Sequence, residues 1–150
     1  MKKIILSLVF VFAMFTFAEA QNNAFGLKLG DGIDLSYQRW LTNTNRNRLE
    51  LNVGLASFSS GSPITVSGLY QWVYGITSGV NFYFGVGAGT GLYTGNSDFL
   101  LNILGNVGIE YNFDFPLQLA LDYTPGLTLV PDPGSFWHTG STRFAIRWRF

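Results

Sequence analysis

Residues 142–150 read TRFAIRWRF, and their two faces differ sharply. The odd-numbered positions bring cationic guanidinium groups to one face, and the even-numbered positions bring apolar and aromatic groups to the other. The two sets are Arg143, Arg147 and Arg149, against Phe144, Ile146, Trp148 and Phe150. A period of two residues is typical of a β-strand whose faces meet different environments.

The same alternation recurs upstream in seven further runs, separated by stretches rich in Gly, Ser, Asn and Pro. The predicted strands are 24–30, 33–41, 48–57, 65–76, 82–93, 99–113, 117–124 and 142–150. The longest predicted connection is the Pro- and Gly-rich loop 125–141. An even number of strands, mostly near the length of a tilted membrane strand, predicts an all-β, eight-stranded, antiparallel up-and-down transmembrane β-barrel with both termini periplasmic.

The composition favours strands over helices. The chain has 18 glycines and 17% aromatic residues but only 12% charged residues, and glycine and aromatics are poor helix formers. It has no cysteine, which excludes disulfides and thiolate metal sites. A closed barrel needs no such crosslink, because it has no edge and satisfies its backbone internally.

The first twenty residues have the pattern of an export signal. Lys2 and Lys3 precede the apolar run 4–18, and Ala18-Glu19-Ala20 supplies a small-residue cleavage site. The apolar run is shorter than the roughly 20 residues that a membrane-spanning helix requires. We expect Sec export, cleavage after Ala20, and a single barrel domain at residues 21–150.

Most charged residues share the face opposite the aliphatic residues. They are Lys28, Asp34, Arg48, Glu50, Glu110, Asp122, Arg143, Arg147 and Arg149. The lumen of an eight-stranded barrel has room only for side chains, and buried charges need partners. We therefore expect these residues to form a salt-bridge network that plugs the lumen; the alternative is a narrow ion path.

The net charge of the mature chain is close to zero. The chain has nine basic and nine acidic residues, and cleavage of the signal would remove Lys2, Lys3 and Glu19, which leaves seven basic and eight acidic residues. This balance gives no reason to expect a nucleic-acid partner.

A column of alternate glycines runs through the predicted fifth strand, at Gly85, Gly87, Gly89 and Gly91. One interpretation is that these glycines make room for the lumenal arginine side chains and let the strand curve. The other interpretation is that they line part of a ligand cavity.

Two stretches resemble a known family. The pattern of Phe144, Ile146, Trp148 and Phe150 resembles the C-terminal β-signal that the barrel assembly machinery reads. Residues 113–126, FDFPLQLALDYTPG, look like the penultimate hairpin of small single-domain outer-membrane β-barrel proteins of the OmpA, OmpX and opacity type. The resemblance implies insertion into the outer membrane of a Gram-negative bacterium, contact with lipid and lipopolysaccharide, and protein or surface interaction. From the short loops, the plugged lumen and the lack of a catalytic constellation, we expect a structural or interaction role, such as a small subunit of a larger outer-membrane complex.

Two alternative functions stay open. The single histidine, His138, lies near Ser141, and a Ser–His–acid set could attack a lipid ester. Lipid A deacylases of the barrel type carry His-x-Ser on a strand, whereas His138-x-x-Ser141 lies in a predicted loop, so we expect a protein that is not an enzyme. The other alternative is a narrow pore or a carrier of an apolar ligand. With one histidine and no carboxylate cluster, we expect no metal or other cofactor.

Overall fold

The computed structural model describes residues 22–41, 46–57, 64–92, 99–130 and 138–150. The strands are β1 (Asn23–Leu29), β2 (Gly32–Trp40), β3 (Asn47–Ser57), β4 (Ile64–Thr77), β5 (Val80–Leu92), β6 (Phe99–Asn112), β7 (Leu117–Val130) and β8 (His138–Arg149). Each strand pairs antiparallel with its neighbours in sequence, and β1 pairs with β8, so the sheet closes into a barrel. The predicted eight-stranded, all-β, up-and-down barrel is confirmed.

The largest departure from the predicted boundaries lies at 125–141, where the prediction of one long loop is wrong. Strand β7 continues through Pro125 and Gly126 to Val130, and β8 begins at His138. The Pro-Gly pair has the composition of a turn, but Leu127, Thr128 and Val130 pair with Ile103, Asn102 and Leu101 of β6. Pairing with a neighbouring strand therefore overrides the local turn preference.

The two faces of the sheet have the reverse of the polarity found in a water-soluble barrel. In β3, the outward side chains of Leu49 and Leu51 are 42% and 53% exposed, while Arg48 and Glu50 between them are fully buried. Most described side chains of the other strands follow the same division, with exceptions such as the buried Leu69 and Val73 on β4 and the exposed Arg39 on β2. The interior is therefore polar and the outer surface apolar.

The strand ends define two ends of the barrel. The loop end carries the Gly30–Gly32 hairpin and the connections 58–63, 93–98 and 131–137, which lie outside the described residues. The turn end carries the connections 41–46, 78–79 and 113–116. Gly79 adopts a φ of 79° in the two-residue turn, a conformation that glycine adopts without steric cost. The part of the chain that the structure describes has no helix long and apolar enough to cross a membrane.

The barrel closes where the two ends of the described chain meet. The backbone N–H of Asn23 donates to the carbonyl of Phe150 at 3.0 Å, and the N–H of Phe150 donates back at 2.9 Å. Phe144 and Ile146 are 40% and 44% exposed on the outer face of β8. The alternation places Trp148 on that face too, in register with Phe25 of β1.

Candidate functional site in the barrel lumen

The lumen is organised around the carboxylate of Glu50, which is fully buried on β3. Its oxygens accept hydrogen bonds from Lys28 Nζ at 2.8 Å, Arg147 Nη2 at 3.1 Å, Gln38 Nε2 at 2.8 Å and Gln71 Nε2 at 2.9 Å. These donors come from four different strands, so the carboxylate ties together the inner faces of β1, β2, β4 and β8.

A second set of contacts extends from Lys28 across the lumen. Lys28 Nζ also lies 2.8 Å from Asp122 Oδ2, which accepts a hydrogen bond from the hydroxyl of Tyr83 at 3.0 Å. The guanidinium of Arg48 lies 4.6 Å from the centre of the Tyr83 ring, a cation–π distance. Arg48 Nη1 forms an ion pair with Glu110 Oε2 at 2.6 Å.

We call these six ionised residues the central cluster. They are Lys28, Arg48 and Arg147, with Glu50, Glu110 and Asp122. Three cations face three anions, all nearly or fully buried, so the cluster is neutral as a whole. Burial of charge is tolerated only with this kind of pairing, because loss of one partner leaves an uncompensated ion in a low-dielectric interior.

The other three predicted lumen residues lie elsewhere. Arg143 pairs with Asp34 nearer the loop end, and its other nitrogen lies 3.6 Å from the exposed Asp31. At the turn end, Arg149 donates to the backbone carbonyls of Phe113 and Phe115 at 2.5 and 3.2 Å. The predicted single network is therefore divided into a central cluster, a separate ion pair, and a link between β8 and the 113–116 turn.

Several neutral residues of the lumen were missed by the sequence reasoning. Gln71 joins Arg48, Glu50 and Asn106, and Tyr83 joins Arg48 to Asp122. Both lie on strands whose inner face carries few charges, so the charge pattern does not point to them. Tyr83 could have been found from the alternation of β5, because it lies two residues before Gly85 and therefore on the same face as the glycine column.

The glycine column lies against β4 rather than against arginine side chains. A Cβ at Gly85 would lie 2.5 Å from the carbonyl oxygen of Tyr70, and one at Gly87 would lie 1.9 Å from that of Gly68. The expectation that these two glycines make room for arginines is wrong, because they permit a close approach of two backbones. Gly89 instead borders a cavity at the loop end.

The weak catalytic candidates are not brought together by any described contact. Ser141 Oγ donates to Asp31 Oδ1 at 2.8 Å and accepts from Arg143 Nε at 3.1 Å. The side chain of His138 lies outside the described residues. Among the residues that the structure does describe, no group of three or more histidine or acidic side chains could hold a metal ion.

Comparison with known proteins supports the fold. No family model and no curated protein matches the sequence. A designed transmembrane β-barrel is similar with a TM-score of 0.59 and 14% identity, over 89% of this chain and 98% of that one. Neisserial surface protein A (NspA) is similar with a TM-score of 0.53 and 12% identity, over 85% and 93%. These neighbours support the β-barrel fold; membership of the OmpA, OmpX or opacity group stays a prediction.

Proposed function

We propose that this chain is an integral outer-membrane β-barrel with a plugged polar lumen. The observation that carries the proposal is the reversed polarity of the sheet: outward Leu51 and Leu121 are 53% and 51% exposed, while inward Glu50 and Arg147 are buried. Soluble monomers rarely expose an apolar surface beyond a few hundred Å². A bilayer covers such a surface, and transmembrane barrels carry an apolar band of about 25 Å.

Aromatic side chains at the turn end support an interface with lipid headgroups. Tyr111 and Phe113 meet edge to face with ring centres 4.6 Å apart, and Phe113 and Phe115 are 5.0 Å apart. Tyr74 and Phe82 lie toward the same end on β4 and β5 and are 52% and 37% exposed. Aromatic girdles of this kind flank the apolar band of membrane barrels.

The proposal includes an orientation and a route. Short turns face the periplasm in bacterial barrels and longer loops face outward, so we place both termini and the turn end in the periplasm. Export would depend on residues 1–20, with cleavage after Ala20. Insertion by the barrel assembly machinery would use the terminal strand, with outer-membrane lipid and lipopolysaccharide as the surroundings.

For the molecular role, we propose structure or interaction rather than catalysis or conduction. The central cluster fills the middle of the lumen, which supports a closed barrel over a pore. The hydroxyl of Ser141 is engaged with Asp31 and Arg143, and this gives no support to a lipid A-modifying site. A native detergent pull-down from the source membrane, compared with a strain lacking the protein, tests for a larger outer-membrane complex.

The membrane proposal is tested by fractionation and gel mobility. We expect the chain in the outer-membrane fraction of a Gram-negative host. It should show a β-type circular dichroism spectrum in detergent, and a faster-migrating band when the sample is not boiled. Solubility without detergent, or a helical spectrum, would contradict the proposal.

A further inference from the structure

The wall of the barrel is interrupted at Pro125, in the middle of β7. Proline has no N–H, and within a sheet it is normally confined to edges and bulges. The β6–β7 ladder runs to Leu104–Gly126, omits the next two positions, and resumes at Val107–Tyr123. The β7–β8 register also shifts between Thr124 and Gly126. The backbone pairing is therefore interrupted on both sides of one residue.

An apolar groove lies on the outer surface at this interruption. It encloses about 480 Å³ and is bordered by Val86, Ile103, Gly105, Pro125 and Leu127. The groove exists because Gly105 presents no side chain between its neighbours. A Cβ there would lie 3.3 Å from Pro125 Cγ.

A polar cavity lies on the inner side of the same wall. It encloses about 150 Å³ at the loop end, and its lining combines hydroxyl and amide side chains with the charged Lys28, Asp31 and Arg143 and with aliphatic and glycine residues. The Oδ1 atoms of Asn52 and Asn102 are buried there without a hydrogen-bond partner among the described residues, and Asn52 is only 4% exposed. Leaving a buried acceptor unpaired is unfavourable, so these atoms favour a ligand that donates hydrogen bonds.

The groove and the cavity share two lining residues, Leu104 and Gly126. The side chain of Leu104 is an apolar exception on the lumenal face of β6, between Asn102 and Asn106. Its methyl carbons lie 3.0 and 3.2 Å from the points where Cβ atoms at Gly126 and Gly89 would sit. Leu104 therefore borders both the outer groove and the inner cavity, beside Gly126.

We propose that the wall at Pro125 is a lateral binding site for a single-chain amphiphile from the surrounding membrane. The alkyl chain lies in the outer groove, and a small hydroxyl-bearing headgroup passes beside Leu104 to the amide oxygens of Asn52 and Asn102. Apolar lining with a few convergent polar groups is the usual composition of a ligand site. The inference rests on the membrane placement proposed above, because the groove must face lipid.

The test uses the purified full barrel in lipid bicelles and an alkyl glucoside with a diazirine in its chain. After irradiation, mass spectrometry should find the label concentrated at residues 103–105 and 125–127, and sparse at Leu51 on β3, across the barrel from β7. Gly105→Leu should fill the groove and abolish that labelling. Gly68→Leu is the matched control, because a Cβ there meets only Leu51 Cδ2, at 3.5 Å.

If Gly105→Leu does not fold, Ile103→Trp fills the same groove from the outer face. Uniform labelling around a folded barrel, or groove labelling that survives both substitutions, would overturn the proposal. Failure of the membrane proposal is distinguishable, because no folded, heat-modifiable barrel would then be obtained in bicelles.

The proposed contact between the headgroup and Asn52 is tested with Asn52→Leu, which removes the amide acceptor and keeps a side chain of similar size. We expect groove labelling by the glucoside probe to weaken by about tenfold, the equivalent of one lost hydrogen bond. A diazirine alkane without a headgroup should label both forms equally. Equal glucoside labelling of the variant and the original chain, or an equal loss with both probes, would contradict headgroup entry.

Discussion

At the scale of single residues, Glu50 is the acceptor on which the lumen depends. Two cations and two amide groups donate to its carboxylate, and none of the four lies beside it on its own strand. The cluster is neutral only when all six residues are charged. Removing the charge of Glu50 therefore takes a counter-charge from both Lys28 and Arg147. The residue therefore stabilises the barrel by compensating charge as well as by hydrogen bonding.

We predict that Glu50→Gln destabilises the barrel by about 3–5 kcal/mol, because two buried cations lose their shared counter-charge. The measurement is urea unfolding in lipid vesicles, followed by tryptophan fluorescence. The control is Asp31→Asn, whose carboxylate is 66% exposed and 3.6 Å from Arg143; an exposed pair is worth about 0–1 kcal/mol. Similar losses of unfolding free energy in both variants would show that burial does not increase the contribution of the cluster to stability.

At the scale of elements, β4 and β5 are held close by glycine. The backbone of β4 occupies the space that side chains at Gly85 and Gly87 would need, whereas the outward Gly68 of β4 has ordinary clearance. The inner face of β4 can therefore carry Leu69 and Val73 as buried apolar residues beside the polar Gln71.

We predict that Gly87→Ala destabilises the barrel by about 1–3 kcal/mol, the usual range for overpacking, because its Cβ meets backbone that cannot rotate away. Gly68→Ala should have a much smaller effect, since the nearest atom is a flexible Leu51 methyl at 3.5 Å. The fraction of heat-modifiable band after refolding, with urea midpoints, compares the two. A Gly87→Ala barrel as stable as the Gly68→Ala barrel would refute the close approach of β4 and β5.

At the scale of the whole molecule, the apolar outer surface and polar interior indicate that the barrel requires a lipid bilayer around it. Leu121 and Phe115 are equally exposed, at 51% and 52%, but Leu121 lies within β7 and Phe115 lies in the turn between β6 and β7. A soluble protein would tolerate an arginine similarly at both. A membrane barrel would not, because only Leu121 faces the hydrocarbon.

We therefore predict a loss of about 2–4 kcal/mol for Leu121→Arg and about 0–1 kcal/mol for Phe115→Arg. Equilibrium unfolding from vesicles gives both values. Equal losses at the two positions would argue against a bilayer around β7.

The plugged lumen makes a prediction of its own. In planar bilayers the purified barrel should show no stepwise conductance, because the six charged residues of the central cluster and their amide partners fill the middle of the lumen. Steady channels from the unaltered chain, at protein levels that leave the bilayer intact, would favour the narrow-pore alternative.

Much of the fold followed from the sequence because alternation is a local property of each strand. The side-chain period of two assigned Arg48 and Glu50 to one face and Leu49 and Leu51 to the other without knowledge of any neighbour. The loop predicted at 125–141 failed because strand pairing, which is not local, carries β7 through Pro125. Tyr83 and Gln71 were missed for a related reason, since their partners lie on other strands.

By itself, the sequence determined the class of fold, the number of strands, and a polar interior inside an apolar surface. Only the tertiary structure decided which acid meets which base. Partners such as Lys28 and Asp122 are fixed by the register and by closure of β1 on β8, to which every strand contributes. The tertiary structure also placed the groove and the cavity on opposite sides of one interrupted wall, because that juxtaposition requires β5, β6 and β7 to be assembled around Pro125.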